Sequence, residues 1–540
     1  MANRLLTALC AGAAALTVTL LLTGCEELVY KDRELFNPPP DTTSGFLGYF
    51  NVAEKQTTCG NCHVSFQAQW KETKHAQAGD DLDASGHAEG FCWGCHAVSE
   101  LGNAVTVAAG YNAVTDSAYR DVQCESCHGP GYTHVQNPSR ETRPLASLKV
   151  AEGLANGCGE CHSGEHTPYL EQWTESKHGY GGGAYLVEGG RSPCNTCHEG
   201  RKAIELNFGE ITNYVEQADT GAASYQPIVC ATCHDPHSAA HEGQLRAPLS
   251  EPSREQLCVQ CHSREGAPPT SRVTRRGPHA AQGLLVIDED VGWIPPNFTY
   301  TGPIVGTHGT EANPRLCAAC HVSRFEVTTA EGEFVNVGHT FEPIQCLDAQ
   351  GVPTAGPCTV DQRYFGGCVG SGCHGSVTTA RSAFVAVKAR MNTLTDLLWA
   401  DTDADGTMEA TDGGLLPKVL AQAIAANNKN VINLYDGTLT VAEGAIWNAQ
   451  LAFTHDREYW SSFKVTGQLS CTPTTTCTTT GSSNTAHKSS GEGVHNPFLL
   501  DALLTASIQA VQTTYSVAPD MPVDLTVQAT PPPGLRVRNQ

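Results

Sequence analysis

The residues with the clearest chemistry recur as one pentapeptide, Cys-x-x-Cys-His. It occurs at Cys59-Gly-Asn-Cys62-His63, Cys92-Trp-Gly-Cys95-His96, Cys124-Glu-Ser-Cys127-His128 and Cys158-Gly-Glu-Cys161-His162. It returns at Cys194-Asn-Thr-Cys197-His198, Cys230-Ala-Thr-Cys233-His234, Cys258-Val-Gln-Cys261-His262 and Cys317-Ala-Ala-Cys320-His321. Two thiols a turn apart can add to the two vinyl groups of one haem, and the adjacent imidazole is then held beneath the iron. Neither zinc sites nor a disulfide framework would need a histidine after every second cysteine. The eight copies therefore predict eight covalently attached haems c.

A ninth candidate has a longer spacing, Cys368-Val-Gly-Ser-Gly-Cys373-His374, whose glycines would let the loop bow outward. The competing reading pairs Cys368 and Cys373 in disulfides with Cys346 and Cys358. Those last two otherwise pair naturally with each other, as do Cys471 and Cys477 across a Thr-rich loop.

Each iron needs a sixth ligand, and its identity separates a carrier from a catalyst. Beyond the first residue the methionines are Met391, Met408 and Met521, none beside a haem motif. Of the 22 histidines, thirteen lie outside the nine motifs. That supply points to two imidazoles per iron, which saturates the metal, favours low potentials and suits electron transfer. Trp70-Lys71-Glu72-Thr73-Lys74-His75 is echoed by Trp173-Thr174-Glu175-Ser176-Lys177-His178, an internal repeat. Gly129-Pro130-Gly131 turns the chain back so that His134 can reach a neighbouring haem. His237 follows His234 so closely that it must serve a different haem.

At 540 residues, 40% apolar and 7% aromatic, the chain is thinly supplied for a conventional core. The seven-motif stretch spends about 30 residues per haem, too few for independent domains. Porphyrin faces would supply the missing apolar surface. The expected fold is mainly α with extensive irregular loops, organised on a haem chain, with little β.

In order, residues 1–24 read as a lipoprotein signal peptide, ending Leu22-Thr23-Gly24-Cys25, so Cys25 would carry the lipid. Residues 25–58 form a tether, 59–265 the seven-haem region and 266–375 a two-haem region with long loops. No other apolar run is long enough to span a bilayer. Residues 376–460 are helical: Phe384, Val387, Met391, Leu394 and Leu398 share a helical spacing, and Thr440-Val441-Ala442-Glu443 is a capping box. Within them Asp401, Asp403, Asp405, Thr407, Glu409 and Asp412, with Gly406 at the turn, fit an EF-hand-like calcium loop of structural role. Residues 461–490 read as a Thr/Cys-rich loop, 491–516 as a helix carrying His495, and 517–540 as a tail. Asn496 can cap that helix and Pro497 suits its first turn. The net charge of −23 leaves no basic surface for nucleic acid.

These segments resemble the multihaem c-type cytochromes related to octahaem tetrathionate reductase, hydroxylamine oxidoreductase and the outer-membrane cytochromes of metal-respiring bacteria. The resemblance covers the haem region and the C-terminal helix. It implies that His75, His87, His134, His178, His237, His279, His308 and His339 are distal ligands, leaving His166, His241, His455 and His487 as spares. His495 before its helix is similar to the distal ligand of pentahaem nitrite reductase. The variant spacing at Cys368–Cys373 also occurs in that group. The implied function is conduction of electrons to another redox protein or an extracellular acceptor, from a lipid-anchored site on the bacterial envelope, the outer membrane being implied. The alternative is a haem enzyme acting on nitrite, hydroxylamine or tetrathionate. Such enzymes replace a motif His with Lys or add a cross-linking Tyr, and all nine motifs here keep His. Lys74 and Lys177 adjoin the implied ligands. A subunit of a cytochrome filament fits the haem density but not the lipid anchor.

Overall fold

A computed structural model describes residues 36–146, 157–164, 167–179, 192–209, 226–269, 277–296, 298, 304–330, 332–370, 373–428, 431–432, 439–471, 477–485, 493–520 and 522–526. The signal peptide with Cys25, His166, His487 and Met521 lie outside them.

The elements that matter, in chain order, are α1 (Val64–Trp70), α2 (Ala78–Ser85), α3 (Tyr169–Glu175), α4 (Gln282–Ile287), β1 (Phe325–Thr328) and β2 (Glu333–Asn336). They continue with α5 (Val377–Leu398), β3 (Thr407–Met408), α6 (Leu415–Ala425), α7 (Val441–Ala452), β4 (Ser462–Cys471), β5 (Cys477–Thr485) and α8 (Pro497–Tyr515). Among the described residues strands are few, and apart from β4 and β5 none exceeds four residues.

Up to about residue 375 most elements are single turns. Many begin at the motifs, as in Cys124–His128, Cys230–Cys233 and Cys317–His321. In His63, His162 and His262 the motif N–H returns to the carbonyl of the first cysteine at 2.9 Å, which fixes the imidazole relative to both thiols. His374 closes the longer motif the same way, its N–H reaching the Cys368 carbonyl at 3.1 Å.

The internal repeat is structural as well as sequential. At the end of α1, Trp70 Nε1 donates to the Val122 carbonyl at 3.0 Å. In α3, Trp173 Nε1 donates to the Ile228 carbonyl at 2.8 Å. Each tryptophan thus anchors the residue two before a later motif, at Cys124 and at Cys230.

Among the described residues the largest apolar core lies mainly in the C-terminal part. Met391, Leu394 and Leu398 of α5 pack with Leu415 and Leu420 of α6, Ile446 and Trp447 of α7, and Leu500, Leu504 and Ile508 of α8. Thr440 caps α7 through the expected reciprocal box with Glu443. Trp447 Nε1 donates to the Gly266 carbonyl at 2.8 Å and so ties this core to the haem region. α8 is buried almost all round, Asp501 included. That carboxylate is accommodated because Arg390 reaches it at 3.0 Å.

The 461–490 stretch corrects the expectation of a loop: β4 and β5 form an antiparallel hairpin with Cys471 opposite Cys477. Threonine is β-branched and favours strands, so a Thr-rich stretch can pair where a low-hydrophobicity reading sees a loop. β3 adds to this sheet in parallel, opposite Lys464 and Val465.

Candidate haem centres

Motif imidazoles meet imidazoles from elsewhere in the chain. His63 faces His134 with ring centroids 6.5 Å apart, His75 faces His162 at 6.2 Å, and His128 faces His237 at 6.2 Å. His178 faces His262 at 6.2 Å, His198 faces His279 at 6.3 Å, and His234 faces His339 at 6.4 Å. His308 faces His374 and His321 faces His495, both at 6.4 Å. A metal bonded at about 2 Å to a nitrogen of each ring would hold two such centroids about 6 Å apart. Eight pairs fall within 0.3 Å of one another, at the spacing of two imidazoles across one iron.

The rings are aimed by their other nitrogen. Nδ1 of His96 sits 2.9 Å from the Ala78 carbonyl, that of His234 2.7 Å from Gly243 O, and that of His321 2.8 Å from Phe341 O. His128 is held in the same way by Pro144 O at 3.2 Å. Among the facing rings, His308 Nδ1 meets Val494 O at 2.8 Å and His339 Nδ1 meets Val337 O at 3.2 Å. A carbonyl only accepts, so Nδ1 must carry the proton and Nε2 keeps its lone pair for a metal. Burial, reinforced by neighbouring imidazoles, lowers His178 to about 3 and His75 and His339 to about 4. These rings are neutral near pH 7, the form that binds metal.

Seven of the nine motifs, the second and the fourth to ninth, line a single cavity of 3740 Å³ with both cysteines and the histidine, and the third adds Ser126 and Cys127. A site for one small molecule seldom exceeds about 1,000 Å³. The space suits several large plates, and the paired thiols and imidazoles fit haem c in donor type and spacing. Bound there, haem would supply reversible one-electron chemistry at iron.

Cys346 and Cys358 form a disulfide, while Cys368 and Cys373 take part in none. His96 has no imidazole facing it among the described residues. His87, expected as a distal residue, lies exposed just beyond α2 and takes part in none of the eight pairs. Of the spares, His241 and His455 both line the cavity, His455 beside Glu458.

Sequence reasoning missed Gln172. It is buried in α3, receives the backbone N–H of Val337 at 3.1 Å and of His339 at 3.2 Å, and donates to Val335 O at 3.0 Å. It therefore sets His339 from a distant part of the chain. A glutamine one residue from the repeated tryptophan was the only signal available.

Away from the cavity, ligand atoms of Asp401, Asp403 and Asp405 lie within 4.8 Å of one another. Asp401 Oδ2 accepts the Gly406 N–H at 2.9 Å, while its buried Oδ1 has no hydrogen-bond partner. Gly406 takes φ +71°, a left-handed turn that glycine adopts without strain. Thr407 and Glu409 follow in and beside β3. Asp412 closes the loop, accepting from Trp399 Nε1, Thr402 and the Glu409 N–H. Desolvation and the charge of Asp405 both raise the Asp403 pKa. The cluster has the oxygen donors that a hard cation such as Ca²⁺ requires.

Repeated haem-attachment motifs on a mainly helical, loop-rich scaffold define a multihaem c-type cytochrome. Residues 58–129 match the family model for cytochrome c554 and c-prime, and residues 224–267 match that for the doubled CXXCH motif. The chain is 24% identical over 250 residues to multiheme cytochrome MtrA of Shewanella baltica (strain OS185), covering 43% of this chain and 66% of that one. It is 27% identical over 167 residues to C-type polyheme cytochrome OmcB of Geobacter sulfurreducens (strain DL-1 / KN400), covering 29% of this chain and 20% of that one. No solved structure matches. Among the described residues, no helix is long and apolar enough to cross a membrane.

Proposed function

We propose that this protein conducts electrons through nine haems c, attached at the eight Cys-x-x-Cys-His motifs and at Cys368, Cys373 and His374. The observation that carries this reading is the set of eight imidazole pairs with centroids 6.2–6.5 Å apart. Iron held on both sides has no position for a substrate and cycles between two oxidation states with little rearrangement. Two imidazoles in place of a methionine also favour low potentials. The resemblance to cytochromes of metal-respiring bacteria extends the reading to an outer-membrane lipoprotein, anchored through Cys25, that delivers electrons to another redox protein or an extracellular acceptor. Ca²⁺ bound by Asp401, Asp403 and Asp405, with Thr407, Glu409 and Asp412 shaping the loop, would brace the junction of α5, β3 and α6.

Anaerobic stopped flow tests conduction. Dithionite-reduced protein is mixed with a ferric chelate, and Soret absorbance should report oxidation of every haem at one rate. Oxidation that stops with most haems still reduced would defeat the reading.

The second reading, an enzyme acting on small nitrogen or sulfur oxyanions, is favoured by one observation: His96 faces no imidazole among the described residues. Nitrite or hydroxylamine binding by the ferric protein, read as a spectral change equivalent to one haem, would support it.

A further inference from the structure

Numbering haems by motif and resting on the reading that each motif carries one, we propose a spine in the order 1, 3, 4, 6, 7, 8, 9. Haem 2 branches from haem 4, and haem 5 branches from haem 7.

The motif thiols give the joints. Cys59 lies beside Cys124 (haems 1 and 3), Cys95 beside Cys161 (2 and 4), and Cys158 beside Cys230 (4 and 6). Cys197 lies beside Cys261 (5 and 7), where Asn207 Nδ2 donates to Thr196 O of the fifth motif at 2.9 Å and to Cys261 Sγ of the seventh at 3.3 Å; Cys258 lies beside Cys317 (7 and 8), and Cys320 beside Cys368 (8 and 9). When such thiols become thioethers, the porphyrin edges they carry are brought against each other.

Two joints are made otherwise. Between haems 3 and 4, the Gly102 N–H donates to Glu160 of the fourth motif, while Asn103 Nδ2 donates at 3.3 Å to Ser126 O of the third. Between haems 6 and 7, the Phe341 ring lies 5.5 Å from His339 and 4.6 Å from His178. Aromatic rings also span two thiol joints. Phe66 lies 6.5 Å from His63 and 5.1 Å from His237, and Tyr169 lies 5.9 Å from His162 and 4.8 Å from His339.

The pattern repeats with a period of three motifs. Shifting by three carries the 1–3 joint onto 4–6 and the 2–4 joint onto 5–7. The same shift carries Trp70 onto Trp173, and the His75–His162 pair onto His178–His262. One repeated packing unit therefore generates both the spine and its branches.

Each hop oxidises one ferrous iron and reduces its ferric neighbour by one electron, with no bond made or broken. The electron enters from a reduced redox partner and leaves to an oxidised one. Haems 2 and 5 are then lateral ports joining the spine at haems 4 and 7.

A single-particle cryo-EM map of the haem-loaded protein locates the irons. The haem 2 iron should have haem 4 as its nearest neighbour and the haem 5 iron haem 7, whereas any other nearest neighbours overturn the order. Nine haems in a different order would refute the wiring alone, while a map without haem would refute the cytochrome reading itself. Function is read with Cys230→Ala/Cys233→Ala, which removes haem 6, against Cys194→Ala/Cys197→Ala, which removes haem 5. With both variants verified at eight haems by mass, removing haem 6 should slow end-to-end transfer at least roughly tenfold more than removing haem 5. Equal slowing contradicts the spine.

Discussion

Replacing Asn496 should loosen the last two haem centres together. Its side chain is fully buried: Nδ2 donates to Leu285 O at 2.9 Å and Ile304 O at 2.6 Å, and Oδ1 accepts from Leu499 N at 3.2 Å. On one side of it Val494 O holds His308, which faces His374, and His495 faces His321. Asn496→Ala removes an N-cap contribution of about 1 kcal/mol, strands the buried Leu285 carbonyl at about 2 kcal/mol and removes a hydrogen bond to the part-buried Ile304 carbonyl worth about 1 kcal/mol. The expected loss is about 4 kcal/mol, a large part of an ordinary domain's stability of about 5–15 kcal/mol. Asn496→Asp keeps the capping oxygen but turns a carboxylate toward two carbonyls, so it should be at least as damaging. Guanidinium unfolding followed by far-UV circular dichroism gives the energies, and both variants should show new high-spin iron. An Asp variant within about 1 kcal/mol of the parent would mean that Asn496 only caps a helix, and the reasoning would fail.

Three other expectations follow from particular residues. Burial pushes the Glu125 carboxyl up to about 7, although the N–H groups of Leu47, Gly48 and Gly131 oppose the shift. A carboxyl raised in the folded state contributes stability below its unfolded pKa near 4.5 and loses it as pH rises through 7, by about 3 kcal/mol in all. The stability difference between parent and Glu125→Gln, measured from pH 4.5 to 8, should trace that loss, and a flat difference would contradict it. Asp403→Asn with Asp405→Asn should abolish any rise in melting temperature on adding Ca²⁺, a rise worth about 2.7 kcal/mol at a hundredfold excess over Kd; an undiminished rise would move the ion elsewhere. Cys25→Ser should release the protein from membranes into the soluble fraction, and retention there would refute the lipid anchor.

The haem motifs were legible because covalent attachment to one macrocycle dictates a local spacing that no fold can alter. The capping box at Thr440 and the Asn496–Pro497 helix start were legible for the same reason: their partners lie within four residues. Which imidazole faces which was not, since His339 meets His234 and His495 meets His321 through long-range packing. Gln172 and Arg390 were hidden likewise, each being an ordinary polar residue until the chain folds around its partner. The choice between disulfides and a ninth attachment site also required three dimensions. Cys346 and Cys358 bond each other and Cys368 and Cys373 are in no disulfide, with His374 closed back on Cys368.

Near-infrared magnetic circular dichroism of the fully oxidised protein bears most directly on the eight imidazole pairs, because its charge-transfer bands distinguish the axial ligands of low-spin ferric haem. The eight pairs predict at least eight bis-imidazole irons per chain, none with methionine, and at most one high-spin iron. Methionine-ligated haem, or two or more high-spin irons, would contradict the account.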